Sequence, residues 1–192
     1  MSQEHKNMMS FCTSKRWITT DVEIKNILKK CEQCWKSTLK GSLVLPYNDL
    51  RSISLQNNVQ TFILNTNNTD DTNNATNDQS VGHWFFFSVN QKNKSAVLFD
   101  PLNNLQKHYP NALNHIKTYC KSKHFKLRIL NMQTQTNLSK ACGFHVIWMT
   151  HKYHDMNLRE ILQMKDIFLS NAPSTNESYV INEVLTVFSF SP

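Results

Sequence analysis

The sequence predicts an α+β domain in which helices flank a small antiparallel or mixed sheet, with Cys142 at the N-terminus of a buried central helix. Three observations carry this. Trp84 to Val89 and Ser95 to Phe99 are aromatic and β-branched runs separated by the polar turn Gln91-Lys92-Asn93-Lys94, which reads as a hairpin of two buried strands. Cys142 to Met149 is almost wholly apolar on every side, so it reads as a buried helix and not a surface one. Segments of helical period precede and follow both.

Along the chain, residues 1–16 are polar and without period, and read as a frayed tail; 17–192 read as one domain. Thr20-Asp21-Val22-Glu23 forms a capping box, and Ile24, Ile27, Leu28, Cys31 and Trp35 recur at helical spacing behind it. Leu39 to Leu50, with Gly41, Pro46 and Asn48-Asp49, reads as an irregular connection, and Gln60 to Asn65 as a strand. From 65 to 79 the chain is almost only Asn, Thr and Asp. It has too little apolar surface to offset the entropy of ordering, so a mobile loop is expected, ending just before Gly82-His83. Beyond the hairpin, Pro110 opens a helix with Leu113, Ile116 and Cys120 on one stripe, and Lys126 to Leu130 reads as a strand. The Cys142 helix runs to about Asp155, Asn157-Leu158-Arg159-Glu160 caps another, and Ala172-Pro173-Ser174 interrupts the chain. A last segment through Val180, Val184 and Phe188 reads as a helix, with a strand as the alternative.

Composition bounds the functional class. With 192 residues and 40% hydrophobic content the chain can bury a sizeable core. No apolar stretch approaches a membrane span, and Met1 to Asn7 lacks the apolar centre of a signal peptide, so synthesis in a reducing compartment is expected. Five cysteines, odd in number and unevenly spaced, fit that compartment and not a disulfide framework. Cys31-Glu32-Gln33-Cys34 has no second ligand pair at zinc spacing, and reads as ordinary helix. The net charge of +7, with Lys117, Lys121, Lys123, Lys126 and Arg128 clustered, implies either a solvated basic face or a contact with polyanions.

The residues that carry chemistry are Cys142, His83 and Asp100. A thiol needs a neighbouring imidazole, a helix N-terminus or both to become a thiolate at neutral pH. Cys142 heads a helix. His83 opens the first hairpin strand and Asp100 closes the second, and antiparallel pairing brings those ends to one edge. The set therefore reads as nucleophile, base and orienter. Gln133 and Gln135, in the loop before Cys142, are both candidates to donate an amide N–H to an oxyanion. Trp84 either shields the imidazole and lines a groove or is plain core. His145, and the His151/His154 pair, have no completing ligand set and read as core or surface, so no metal is expected.

Gly82-His83-Trp84, a hairpin ending Phe99-Asp100-Pro101, a glutamine loop and Ala141-Cys142-Gly143-Phe144 together resemble the adenovirus-type processing protease, adenain, of the cysteine-protease clan that also holds the SUMO-specific proteases. The likeness runs from Trp17 to about Asp155. It implies His83 as the catalytic base, Asp100 as the acid, Cys142 as the nucleophile and Gln135, seven residues before it, as the oxyanion glutamine, with Gln133 as the fallback. Adenovirus enzymes carry Glu at the acid position and SUMO-specific proteases Asp, so Asp100 follows the latter. The resemblance further implies a metal-free viral endopeptidase, likewise without a cofactor, that cleaves virion precursor polypeptides at Gly-containing sites. It would work as a monomer, in the virion and host nucleus or at an assembly site. Stimulation by DNA and by a disulfide-tethered peptide activator is implied too; the tethering position falls on His124, and the nearest thiol is Cys120. The alternatives are a SUMO- or ubiquitin-like deconjugase and a non-enzymatic basic DNA-binding virion protein.

Overall fold

The computed structural model describes residues 22, 24, 25, 28, 42–66, 82–139, 141–164, 168 and 172–189. The expected tail over 1–16, the Thr20–Glu23 box as a whole, the Cys31–Cys34 pair and most of the Asn-rich 65–79 segment lie outside the described residues.

Among the described residues a mixed sheet of five strands forms the centre, in the order β1-β2-β3-β4-β5: Leu43–Pro46, Val59–Asn65, Trp84–Asn90, Ser95–Phe99 and Lys126–Ile129. The outer pairs, β1 with β2 and β4 with β5, are parallel; the inner pairs are antiparallel. A 3-10 turn, Tyr47–Ser52, follows β1. The helices are α1 (Leu105–His108), α2 (Pro110–Ser122), α3 (Cys142–Asp155), α4 (Leu158–Gln163) and α5 (Pro173–Ser189).

β3 explains the layering. Its side chains alternate between two cores, Trp84 and Phe86 on one face and Phe85, Phe87 and Val89 on the other, as a period of two requires. The first core joins that face to α3, α4 and α5, with Ile24 and Leu28 of an N-terminal helical segment; the second joins the opposite face to the 3-10 turn, α1 and α2. Three fully buried phenylalanines, each worth about 2 kcal/mol of transfer free energy, account for β3 being central.

The hairpin closes as the sequence reading expects. Asn90 Oδ1 accepts from the backbone N–H of Lys92 and of Asn93 at 3.0 and 3.2 Å, and Lys94 takes a left-handed φ of 52°. Pro110 stands at the first position of α2, and Asn157 and Glu160 form a complete capping box on α4. The last segment, read as a helix with a strand as the alternative, is the helix α5.

One expectation is corrected. Leu39 to Leu50 was expected to be irregular, yet it holds β1 and most of the 3-10 turn. Pro46 hides this strand from a propensity reading, but β1 is an edge, and Pro46 ends it, where the missing N–H costs no ladder bond. The other edge, β5, carries exposed Lys126 and Arg128, charges that discourage pairing with another chain.

Candidate active site

The end of the hairpin remote from its turn delivers two of the three residues. His83 precedes β3 and Asp100 follows β4; the register Phe86↔Phe99 sets Asp100 level with Phe85, a diagonal neighbour of His83. Both are buried, and His83 Nε2 lies 2.6 Å from Asp100 Oδ1. Two further backbone donors hold the carboxylate: Leu102 N to Oδ1 at 3.0 Å and Asn104 N to Oδ2 at 2.7 Å. Burial opposes charge on Asp100, but the hydrogen bond and charge of His83 and these two N–H groups outweigh it and hold its pKa below the usual carboxylate value.

Cys142 is the first residue of α3, buried, beside His83 and on the same core as Trp84. At that position the backbone N–H groups lack intrahelical acceptors and the positive end of the helix dipole favours an anion. Burial by itself would push the His83 imidazole down; the hydrogen bonds and charges of Asp100 and Cys142 overcome this and raise it to about 9. The imidazole therefore holds its proton at neutral pH, next to a sulfur at a helix N-terminus. Such an arrangement can support an imidazolium–thiolate pair.

The two glutamines separate in the structure. Gln135 is buried at 1% exposure, its Nε2 donating to Ser139 O at 2.8 Å. An amide nitrogen carries two N–H groups, so this bond leaves one for a substrate oxygen. Gln133 is only half-buried, and its Nε2 donates to Gln135 O at 2.9 Å, so it braces the loop from behind. Trp84 is 5% exposed and packs in the first core.

The sequence reading missed Tyr109 and Thr66. Tyr109, between α1 and α2, stacks on the His83 ring at 5.4 Å with an interplanar angle of 8°. Its hydroxyl is bonded to Thr66, and burial, with the nearby Cys142 and Asp100 charges, raises its pKa. Thr66 in turn accepts from His83 N through Oγ1 at 2.7 Å and donates its own N–H to His83 O at 3.0 Å. The imidazole is thus held at its ring edge, ring face and backbone. No motif marks Tyr109, because only the chain reversal after Asp100 brings it back.

Elsewhere, His151 Nδ1 pairs with Asp155 Oδ2 at 3.1 Å, and His154 Nε2 lies 3.5 Å from Thr61 Oγ1. Among the described residues no group of three or more His, Cys, Asp or Glu side chains could hold a metal ion. Cys120 is buried in the second core, and that burial pushes its thiol up to about 12. His124 is exposed at the end of α2 with a φ of 58°.

No protein-family model and no curated protein sequence matches this chain. Solved structures do. The Chlamydia trachomatis effector Cdu1 bound to ubiquitin superposes with a TM-score of 0.51 at 16% identity, over 90% of this chain and 79% of that one. AvrA, solved with IP6 and CoA, gives a TM-score of 0.53 at 12% identity, over 97% and 78%. The SUMO protease Ulp1, with its catalytic cysteine oxidised to a sulfinic acid, matches at 14% identity over 96% and 97%, with a TM-score of 0.47. Cdu1 and AvrA bear out the expected fold: a mixed sheet flanked by helices. They do not single out the adenovirus branch of the resemblance.

Proposed function

We propose that this chain is a cysteine protease with Cys142 as nucleophile, His83 as base and acid, Asp100 as orienter, and Gln135 with the Cys142 N–H as the oxyanion hole. The observation that carries this reading is the buried His83 ring, held between Asp100 and Cys142 at the start of α3. The Cys142 thiolate attacks the scissile carbonyl carbon, and the C=O electron pair moves onto oxygen, facing the oxyanion donors. His83 gives its proton to the leaving amine as the tetrahedral species collapses to a thioester. It then takes a proton from water, which attacks the thioester and releases the carboxylic acid and free thiol.

For the substrate we favour an isopeptide or peptide bond following the C-terminus of a ubiquitin-like protein. Two features support this: Asp100 follows the SUMO-specific proteases at the acid position, and Cdu1, of this fold, is solved bound to ubiquitin. A virion precursor cut at Gly-containing sites is the second reading, favoured by the interval of seven residues between Gln135 and Cys142. A virion or nuclear location, viral origin and a DNA contact belong to that reading. The burial of Cys120 disfavours a disulfide-tethered activator there, and we propose none.

The test incubates wild-type and Cys142→Ala protein with ubiquitin and SUMO C-terminal amide probes and with Gly-containing peptides, each with and without DNA. Turnover of the C-terminal probes by wild type alone supports the first reading; turnover of the peptides alone supports the second. Equal turnover by both proteins sinks the protease assignment.

A further inference from the structure

The loop that carries Gln135 is braced from two helices by side chains that the proposed mechanism does not use. We propose that His145 and Glu177 are positioning residues that hold Gln135 in its oxyanion-binding place, an inference that rests on the protease reading above.

Each residue flanking Gln135 has its own helical anchor. On one side is Thr134, whose Oγ1 lies 2.9 Å from Nδ1 of His145 on α3, one turn beyond Cys142. On the other is Thr136, which donates its N–H and its hydroxyl to Glu177 Oε2, on α5, at 3.2 and 2.7 Å. Asn176 Nδ2 adds a bond to Gln133 O at 2.8 Å, and the Pro101 carbonyl accepts from Thr134 N and Gln135 N at 3.0 Å each. His145 Nε2 and Glu177 Oε1 are 4.0 Å apart, so the two anchors also face each other.

Gln135 needs such a frame. Among the described residues its Oε1 is buried without a hydrogen-bond partner, and its Nε2 is tied only to a carbonyl of the same loop. The backbone on either side must therefore set where the amide points. Packing does not explain His145, since it is fully buried and an apolar side chain would avoid the desolvation cost of an imidazole. Burial, helped by the charge of His83, pushes its pKa down to about 3, so it stays neutral as a fixed hydrogen-bonding group.

The experiment compares Glu177→Ala, Glu177→Gln, His145→Leu and His145→Asn with wild type. It measures kcat and KM on the substrate cleaved above, and the rate of Cys142 alkylation by iodoacetamide, which needs the thiolate but forms no oxyanion. Expected for Glu177→Ala and His145→Leu is a kcat lower by about 10- to 100-fold, with KM and the alkylation rate within about three-fold of wild type. Glu177→Gln and His145→Asn, which keep a polar atom near each anchor, should recover most of kcat. Glu177 is partly exposed, so its variants keep the test open if His145→Leu fails to fold. Unchanged kcat in Glu177→Ala, absence of rescue by Glu177→Gln, or parallel losses of cleavage and alkylation would overturn the proposal while leaving the protease reading intact. Absence of Cys142-dependent cleavage by wild type overturns both.

Discussion

His83 sits where two effects of opposite sign meet, and its pH behaviour follows from which one wins. Burial disfavours the imidazolium, but Asp100 and Cys142 raise the folded-state pKa from 6.5 to about 9. A base whose pKa is raised by folding contributes stability that is complete below the unfolded pKa and is lost as pH rises through the folded one. The midpoint of urea unfolding should therefore fall between pH 6.5 and about 9, and Asp100→Asn should flatten that decline. The same substitution should lower kcat by about 10⁴-fold, the scale seen when a triad carboxylate becomes an amide, and move the alkaline limb of the cleavage profile to lower pH. Steady-state kinetics across pH checks both. At this scale the sequence named Cys142, His83, Asp100 and Gln135, because each sits in a local context of turn, strand end or helix start. The contacts of Tyr109, Thr66, Glu177 and His145 had no such context, since their partners come from other elements.

Among the elements, β3 and α4 offer contrasting tests. Phe86 is fully buried in the first core, its ring 5.2 Å from that of Tyr153 on α3. Phe86→Ala should cost about 3–5 kcal/mol in denaturant unfolding, because it leaves a cavity between the sheet and the helix that carries Cys142. Asn157 instead caps α4 at the surface, accepting from Arg159 N and Glu160 N at 3.0 and 3.1 Å. Asn157→Ala should cost about 1 kcal/mol and leave kcat unchanged, which separates loss of a cap from loss of the site's support. Elements with strong local signals were legible: the hairpin from its turn, α2 from Pro110, α4 from its box. β1 was not, because a short edge strand ending in Pro46 is stabilised by pairing with β2, which no local pattern reports.

At the scale of the whole molecule, charge is unevenly distributed. From Gln79 to His154 Asp100 is the only carboxylate, and it is buried against His83. Lys117, Lys121, Lys123, Lys126 and Arg128 are exposed at the end of α2 and along β5, next to the hairpin turn through the bond from Lys126 N to Lys94 O at 2.7 Å. On the virion-precursor reading this face contacts DNA, and duplex binding should then weaken linearly in log–log terms with salt, with Lys121→Glu and Lys126→Glu together reducing the slope by about two. Fluorescence anisotropy across a salt series measures it; an unchanged slope would place any DNA contact elsewhere. By itself the sequence determined the central hairpin, the buried Cys142 helix and the candidate site residues, because periodicity, turn chemistry and helix caps are written in neighbouring positions. The tertiary structure alone decided how those residues are held. The stack of Tyr109 on His83, the frame around Gln135 and the burial of Cys120 all join segments far apart in the chain, and their energies depend on distances that no local pattern encodes.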